Sequence, residues 1–66
     1  MQNNLKKIRK GLGLTQEELA NEAGLSRATI IAIENNTTVP DGVTIKKLVD
    51  ATKKPANEIF FDLDVV

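Results

Sequence analysis

The sequence predicts an all-α domain of five short helices. Apolar residues recur at helical spacing, and residues that cap or end helices divide the chain at short intervals. At 66 residues the chain is expected to form one domain, and a domain of this size buries only about 60% of the surface that its unfolded chain exposes. We therefore expect a compact bundle around a single small core, without internal repeats or linkers.

The first two helices have clear boundary signals. The first is predicted to begin at a cap provided by Asn3 or Asn4. Its apolar residues at helical spacing are Leu5, Ile8 and Leu12, and Gly11 and Gly13 are expected to end it. The second begins with a capping box, in which Thr15 precedes Glu18 by three residues. Leu14 and Leu19 are placed to pack across this cap as a hydrophobic staple. The helix should run to about Ala23 and end at Gly24, because glycine adopts the left-handed conformation without steric cost.

The third helix has a core face and an exposed face. Ser26 is placed to cap it. At roughly 100° per residue, Ile30 and Ile33 share a face with Ser26 and Thr37, and this face is predicted to meet the core. The opposite face should be exposed, and it carries Ala28, Ala32 and Asn35, flanked by Arg27 and Ile31.

The rest of the chain predicts a loop, two helices and a tail. Pro40 prevents residues 35–42 from continuing the third helix, and Asn35 or Asn36 stands where glycine often ends a helix. Asp41 is placed to cap a fourth helix that ends near Thr52. Pro55 suits the first turn of a short fifth helix. The tail, residues 61–66, alternates apolar and acidic residues, which suggests an extended segment.

Composition argues against several classes of function. The chain has no cysteine and no histidine, which removes disulfides, cysteine-based zinc sites and the commonest acid-base side chain. We therefore expect no enzymatic activity, no metal and no cofactor. No apolar run approaches the roughly 20 residues that span a bilayer, and the amino-terminal stretch does not resemble a signal peptide. The expectation is a cytoplasmic protein that does not bind membranes.

The charge is balanced in total but uneven along the chain. The net charge is zero, which by itself argues mildly against a nucleic-acid partner. The predicted first helix has only basic charged residues, namely Lys6, Lys7, Arg9 and Lys10. The carboxyl end is acidic, with Glu58, Asp62 and Asp64. A basic side and an acidic side are predicted, although such a basic run is often only a solvated helix face.

The segment from about residue 15 to about residue 35 has the pattern of a helix-turn-helix, in which two helices are joined by a tight glycine-containing turn. In the DNA-binding version the second helix enters the major groove. The constrained positions hold suitable residues: Gln16, Ala20, Gly24, Ile30 and Ile33. Ala20 is small where the helices should touch. Any small helical bundle needs such residues, so this pattern alone leaves a purely structural explanation open.

A family resemblance narrows the choice. The stretch LTQEELANEAGLSRATIIAIENN, continued by VPDGVTIKKLVDATKKPANEIFF, resembles the phage Cro and repressor type of helix-turn-helix transcriptional regulators, the XRE family. The resemblance extends from Leu5 to Phe61. It implies a five-helix bundle of the lambda-repressor-like type that binds a double-stranded DNA operator as a homodimer, with repression as the expected outcome and no enzymatic activity.

The resemblance also implies roles for single residues. Gln16 matches a glutamine that contacts a phosphate and supports the reader helix, which is the helix that enters the major groove and corresponds here to the third helix. The residues predicted to face base edges or the adjoining backbone are Arg27, Ala28, Thr29 and Ala32, and the predicted DNA-binding set also includes Ser26. The residues that match a phosphate-contacting loop are Asn35, Asn36, Thr37 and Thr38. Arg9 and Glu34 match an internal ion pair between the first and third helices.

The chemistry of the reader residues leaves alternatives. Arg27 could form two hydrogen bonds with guanine, worth roughly 1 to 3 kcal/mol of base discrimination, or it could bind phosphate. Ala28 and Ala32 could touch thymine methyl groups or only allow close approach of the helix. Thr29 could contact DNA or have a structural role at the edge of the core. Gln16 could be an ordinary residue in the first turn of the second helix.

Two further hypotheses concern partners. The dimer interface is predicted at the fifth helix with Phe60, Phe61, Leu63 and the tail; alternatively, one phenylalanine is core and the other covers it. The second function hypothesis is a protein-interaction module, such as the antitoxin or accessory subunit of a regulatory pair. It is based on the zero net charge, the acidic tail and Ile31 as an exposed apolar residue.

Overall fold

The computed structural model describes residues 3–61 and confirms the all-α fold with five helices. The helices are α1 (Leu5–Gly11), α2 (Gln16–Ala23), α3 (Arg27–Glu34), α4 (Gly42–Thr52) and α5 (Ala56–Ile59). An isolated antiparallel bridge joins Asn3 to Phe60, so the two ends of the described chain lie side by side. None of the helices within residues 3–61 has the length and hydropathy needed to cross a membrane.

The predicted capping residues begin three of the helices. Thr15 Oγ1 accepts a hydrogen bond from the Glu18 amide at 3.0 Å, and Glu18 Oε1 accepts one from the Thr15 amide at 2.8 Å, which completes the capping box. The Ser26 hydroxyl caps α3 and the Asp41 carboxylate caps α4. Each cap satisfies backbone donors that a helix leaves without partners in its first turn. The short helices are therefore bounded by contacts within four residues of sequence.

Three helices end in the same kind of turn around a left-handed residue. This residue has φ of 74° at Gly13, 69° at Gly24 and 60° at Asn36. In each turn the next amide reaches a carbonyl five residues earlier, and the bonds are Leu14 to Arg9 at 3.1 Å, Leu25 to Ala20 at 2.9 Å and Thr37 to Ala32 at 2.9 Å. This is the Schellman arrangement. The predicted end of α2 at Gly24 is confirmed, and of the two candidates at the end of α3, Asn36 is the one with the left-handed conformation.

The core lies where the helices converge. Its fully or almost fully buried apolar residues are Leu5, Leu19, Ala20, Ala23, Ile30, Ile33, Leu48, Ile59 and Phe60. Ala20 is 2% exposed, and it lies on α2, which packs closely on α3. A longer side chain at this position would have to displace α3, because protein interiors are close-packed. The core thus holds α3 in a defined orientation.

The structure corrects two predictions for α1 and α5, those for Leu12 and Pro55, and decides between two pairs of alternatives, for the α1 cap and for the two phenylalanines. Leu12 is 45% exposed, because α1 ends at Gly11 and Leu12 no longer follows the helical face. The α1 cap is made by Asn3, whose Oδ1 accepts from the Leu5 amide, whereas Asn4 makes no side-chain cap. Pro55 precedes α5 as its N-cap instead of lying in its first turn. Phe60, which follows α5, is fully buried in the core of the domain, whereas Phe61 is 53% exposed.

The predicted faces of α3 also need correction. Ser26 and Thr37 are exposed, because Ser26 lies before the helix and Thr37 lies beyond its end at Glu34. Ala32 and Ile31, for which exposure is predicted, are half-buried. Neighbouring elements therefore cover a wider part of α3 than the helical period alone predicts.

Candidate nucleic-acid interface

The turn between α2 and α3 consists of Gly24, Leu25 and Ser26. Gly24 ends α2 in the left-handed conformation, Leu25 packs against the core, and Ser26 begins α3. Since Ile30 is 0% and Ile33 1% exposed, α3 is anchored along one side. On its other side Ile31 and Ala32 are half-buried, so the exposed part of α3 is its first turn, at Arg27 and Ala28.

The amino-terminal end of α3 presents the exposed residues Ser26, Arg27 and Ala28. Within residues 3–61, the Arg27 side chain forms no hydrogen bond and no ion pair. Thr29 is half-buried, and its hydroxyl lies 2.8 Å from the Ser26 hydroxyl, to which the Thr29 amide also donates at 3.1 Å. Arg27 is thus free to reach a ligand, whereas Thr29 is partly engaged in the cap.

The carboxyl end of α3 is held by a buried polar network. Arg9 Nε donates to Glu34 Oε2 at 2.7 Å, and Arg9 Nη2 donates to Glu34 Oε1 at 3.3 Å. Arg9 Nη1 donates to the Leu14 carbonyl at 2.9 Å, and Gln16 Nε2 donates to Glu34 Oε1 at 3.2 Å. These bonds join α1, the start of α2 and the end of α3. They fix α3 relative to the rest of the bundle and place Gln16 beside its carboxyl end.

The loop after α3 is exposed at all four predicted phosphate-contacting positions, Asn35, Asn36, Thr37 and Thr38. Asn36 is left-handed, and the Thr37 amide and hydroxyl both bond to the Ala32 carbonyl, at 2.9 and 3.2 Å. The loop backbone is therefore tied to the last turn of α3. Gln16 lies at this end of α3, whereas Arg27 and Ala28 lie at the other, about 12 Å away along an eight-residue helix.

Three of the four basic residues of α1, Lys6, Lys7 and Lys10, are exposed, and the fourth, Arg9, is buried. Arg9 is only 7% exposed and paired with Glu34, so it adds no free charge. Lys7 lines a groove between α1 and α5 together with Lys54 and Phe61. The predicted acidic end is described only at Glu58; Asp62, Leu63 and Asp64 lie outside the described residues. Charge alone therefore does not define a binding surface.

Asn3, for which the sequence predicts only a helix cap, also contacts the loop that follows α3. Asn3 Nδ2 donates to the Ile33 carbonyl at 2.8 Å and to Asn36 Oδ1 at 3.0 Å. These partners are 30 and 33 residues away in sequence, so no local pattern could have identified them. The only hint is the asparagine at position 36, where glycine often ends a helix.

Little in the described chain resembles a catalytic or metal site. Residues 3–61 contain no group of His, Cys, Asp or Glu that could hold a metal ion. Among residues 3–61, the one clear pKa shift is at Asp41, where the hydrogen bond from the Thr44 amide at 2.8 Å holds the pKa of the carboxyl below its ordinary value. This carboxyl is a helix cap, so its low pKa has a structural cause.

A five-helix bundle with this turn between α2 and α3 is a helix-turn-helix domain, and the comparisons with known proteins agree. The helix-turn-helix family model matches residues 5–59. An uncharacterised HTH-type transcriptional regulator of Methanothermobacter thermautotrophicus is 40% identical over 60 residues, which cover 91% of this chain and 87% of that protein. The HTH-type regulator YgzD of Bacillus subtilis is 31% identical over 61 residues, 92% of each chain.

A solved structure is also similar. The restriction-modification controller protein C.AhdI from Aeromonas hydrophila superposes with a TM-score of 0.81 at 33% identity, covering 86% of each chain. The chain belongs to the XRE-type helix-turn-helix family of transcriptional regulators. The family resemblance expected from the sequence is confirmed.

Proposed function

We propose that this protein is a sequence-specific regulator that binds double-stranded DNA by inserting the amino-terminal end of α3 into the major groove. The observation that carries this proposal is the contrast along α3. Its inner side and its carboxyl end are held by the core and the Arg9–Glu34 pair, while Arg27 and Ala28 at its start are exposed. A helix that is rigidly held and leaves a free arginine at its tip suits the reading of base edges.

Arg27 is the proposed reader of a base. Its guanidinium has no competing partner within the described chain, so it reaches DNA without breaking an internal bond. Two parallel hydrogen bonds to guanine O6 and N7 contribute roughly 1 to 3 kcal/mol of discrimination. Ala28, which is exposed beside it, adds no hydrogen bond but fits against a thymine methyl group. Ala32 is half-buried and contributes chiefly by allowing close approach.

Phosphate contacts are proposed for the other end of the reader. Gln16 is half-buried and uses one amide hydrogen on Glu34, which leaves the other hydrogen for a phosphate oxygen. The exposed loop of residues 35–38 offers backbone amides and short polar side chains. Such contacts position a protein on the duplex without reading its sequence. Thr29 and Ser26 support the reader mainly through their mutual cap.

A homodimer is proposed as the binding unit, because one reader contacts only a few base pairs. Two readers about 34 Å apart meet successive major grooves on one side of the duplex and require a two-fold symmetric operator. Phe61, 53% exposed beside Leu12 and the α1–α5 groove, is the proposed centre of the interface. Occupation of an operator that overlaps a promoter would repress transcription.

The test is selection from a library of random duplex DNA at moderate salt, with the wild type, Arg27→Ala and Lys10→Ala. Lys10 is an exposed cation on α1 and serves as the charge-matched control. We expect a symmetric motif that contains a guanine in each half, with the guanine preference weakened in Arg27→Ala only. If no sequence is enriched by the wild type, or if both variants weaken binding equally at all sequences, the base-reading proposal is wrong.

A second candidate function is a protein-interaction module, such as one member of a regulatory pair. It is favoured by the zero net charge and by Val39 and Val43, which are 71% and 65% exposed. The half-buried position of Ile31 weakens the argument for this module, because less apolar surface is free at α3. Failure of the wild type to bind any duplex, with a partner protein captured through the Val39 and Val43 surface, would favour this alternative.

A further inference from the structure

Asn3 joins three parts of the fold through one short side chain. Its Oδ1 accepts a hydrogen bond from the Leu5 amide at 3.0 Å, which caps α1. Its Nδ2 donates to the Ile33 carbonyl at 2.8 Å and to the Asn36 side-chain oxygen at 3.0 Å. The cap uses the amide oxygen, whereas the contacts to the end of α3 and to the following loop use the nitrogen. These roles are chemically separable.

Asn36 is the position where the loop needs support most. Its φ of 60° is a left-handed conformation, which costs a residue with a side chain more than it costs glycine. The Asn36 amide and the Asn3 side chain both bond to the Ile33 carbonyl. Asn3 therefore holds the Asn36 side chain and donates to the same Ile33 carbonyl as the Asn36 amide. Both contacts lie in the turn that directs residues 35–38 away from α3.

Asn3 is itself fixed from the opposite side. It forms the isolated bridge with Phe60, and the amide of the next residue, Asn4, donates to the Ile59 carbonyl at 2.7 Å. Phe60 and Ile59 are both fully buried. The loop after α3 is thus tied, through one asparagine, to the most deeply buried part of the carboxyl-terminal end of the domain.

We infer that Asn3 is a positioning residue for DNA binding, which fixes the loop of residues 35–38 in the geometry that contacts phosphates. The inference depends on the proposed function, since it concerns how that same interface is held. Asn3 need not touch DNA. It reduces the freedom of the loop before binding, so the conformational entropy cost is smaller when the loop meets the duplex. Phosphate binding thereby depends on a residue at the start of the chain.

The test variant is Asn3→Ser. A serine hydroxyl can still accept from the Leu5 amide as a helix cap, but it is too short to replace the bonds to Ile33 and Asn36. The control is Asn21→Ser, at an exposed position of α2 whose side chain forms no hydrogen bond within residues 3–61. Urea denaturation of both variants checks that they fold.

We expect Asn3→Ser to bind the selected operator about tenfold more weakly. This is the effect expected when the net contribution of the one or two hydrogen bonds that hold the loop is lost. The dependence of affinity on salt should stay the same, because Asn3 and residues 35–38 carry no charge and release no counterions from the phosphates. The ranking of operator bases should not change, because Arg27 is untouched. A merely structural role would lower stability without weakening operator binding by the folded variant.

Two further measurements make the inference decisive. In Asn3→Ser the amide of Thr37, which bonds to Ala32, should exchange with solvent faster in the absence of DNA, while the control matches the wild type. In an Asn36→Gly background, the effect of Asn3→Ser on affinity should shrink, because glycine needs no side-chain support in the left-handed turn.

The outcomes separate this inference from the proposed function. If the wild type binds no duplex, the proposed function fails, and the role of Asn3 in DNA binding fails with it, whatever the exchange rate of Thr37. If the wild type binds but Asn3→Ser has the same affinity, only the positioning inference is overturned. Weaker binding with an unchanged salt slope and an unchanged base ranking supports both.

Discussion

The Arg9 guanidinium and the Glu34 carboxylate meet inside the fold, with Nε and Oε2 2.7 Å apart and side chains only 9% and 2% exposed. Glu34 also accepts from Gln16, so three donor groups converge on one carboxylate. A buried ion pair is not necessarily more stable than apolar residues of the same size. Here it joins α1 to α3 and holds Gln16 beside the end of α3, an arrangement that suits the role proposed for α3 in DNA binding.

Removal of the Glu34 charge should therefore destabilise the fold strongly. In Glu34→Gln, an amide nitrogen would face one of the three donors and Arg9 would be left as a buried unpaired charge, which costs about 3 kcal/mol. The control is Asp50→Asn, which makes the same chemical change in the exposed Lys46–Asp50 pair; it should change the free energy of unfolding by less than about 1 kcal/mol. Urea denaturation measures both, and equal small effects would contradict a structural role for the pair.

Two glycines should respond in opposite ways to alanine. Gly24 has a φ of 69°, so Gly24→Ala should lower the free energy of unfolding by about 1 to 2 kcal/mol through backbone strain. Gly42 begins α4 without a positive φ and has open space around it. Gly42→Ala should be neutral or stabilise by up to about 1 kcal/mol, because it restricts the unfolded chain. Thermal unfolding followed by circular dichroism distinguishes the two, and equal shifts would contradict the assignment of the turn.

The stability of α4 should depend on pH through Asp41. The Thr44 amide holds the pKa of this carboxyl below its ordinary value, so the folded state favours the charged form. Its contribution is therefore fully present above the pKa of the unfolded chain, about 3.9, and is lost as the pH falls through the lower folded value. Asp41→Asn caps the helix without titrating.

Urea denaturation between about pH 2 and pH 6 compares these two proteins, and the pH range is chosen to span the ordinary pKa of aspartate. The wild type should lose stability relative to Asp41→Asn below about pH 4. A difference that is constant across the whole range would show that Asp41 is not the titrating cap.

The features that could be predicted from sequence are those decided within a few residues. The capping box of Thr15 and Glu18, the Ser26 and Asp41 caps and the left-handed Gly24 each depend on contacts within a single turn. Such contacts need no knowledge of the rest of the fold. The helical period likewise identifies Ile30 and Ile33 as core residues.

The features that could not be predicted depend on which elements meet. Asn3 bonds to Asn36 because the fold brings the start of the chain to the end of α3, and no spacing encodes this approach. The same reason explains Ile31 and Ala32, which neighbouring elements cover, and Leu12, which is left exposed when α1 ends. The pairing of Arg9 with Glu34 is implied only by the family resemblance, whereas charge patterning alone suggests a free basic helix face.

Phe61 is the residue on which the proposed dimer should depend. It is 53% exposed and lines the α1–α5 groove together with Leu12, itself 45% exposed, whereas Phe60 is fully buried in the core. Phe61→Ser should therefore have little effect on the free energy of unfolding of the monomer, within about 0.5 kcal/mol. It should raise the dissociation constant of the dimer at least tenfold, as expected for an aromatic residue near the centre of an interface.

Val43→Ser is the matched control, because Val43 is an exposed apolar residue, at 65%, on a different helix. Sedimentation equilibrium across a range of concentrations, with and without operator DNA, measures both variants. Weak binding by Phe61→Ser to a two-fold operator, together with normal binding to a single half-site, would link the reduced affinity to dimerisation. A wild type that remains monomeric in all conditions, or equal effects of the two variants, would exclude the groove as the interface and require each reader helix to bind alone.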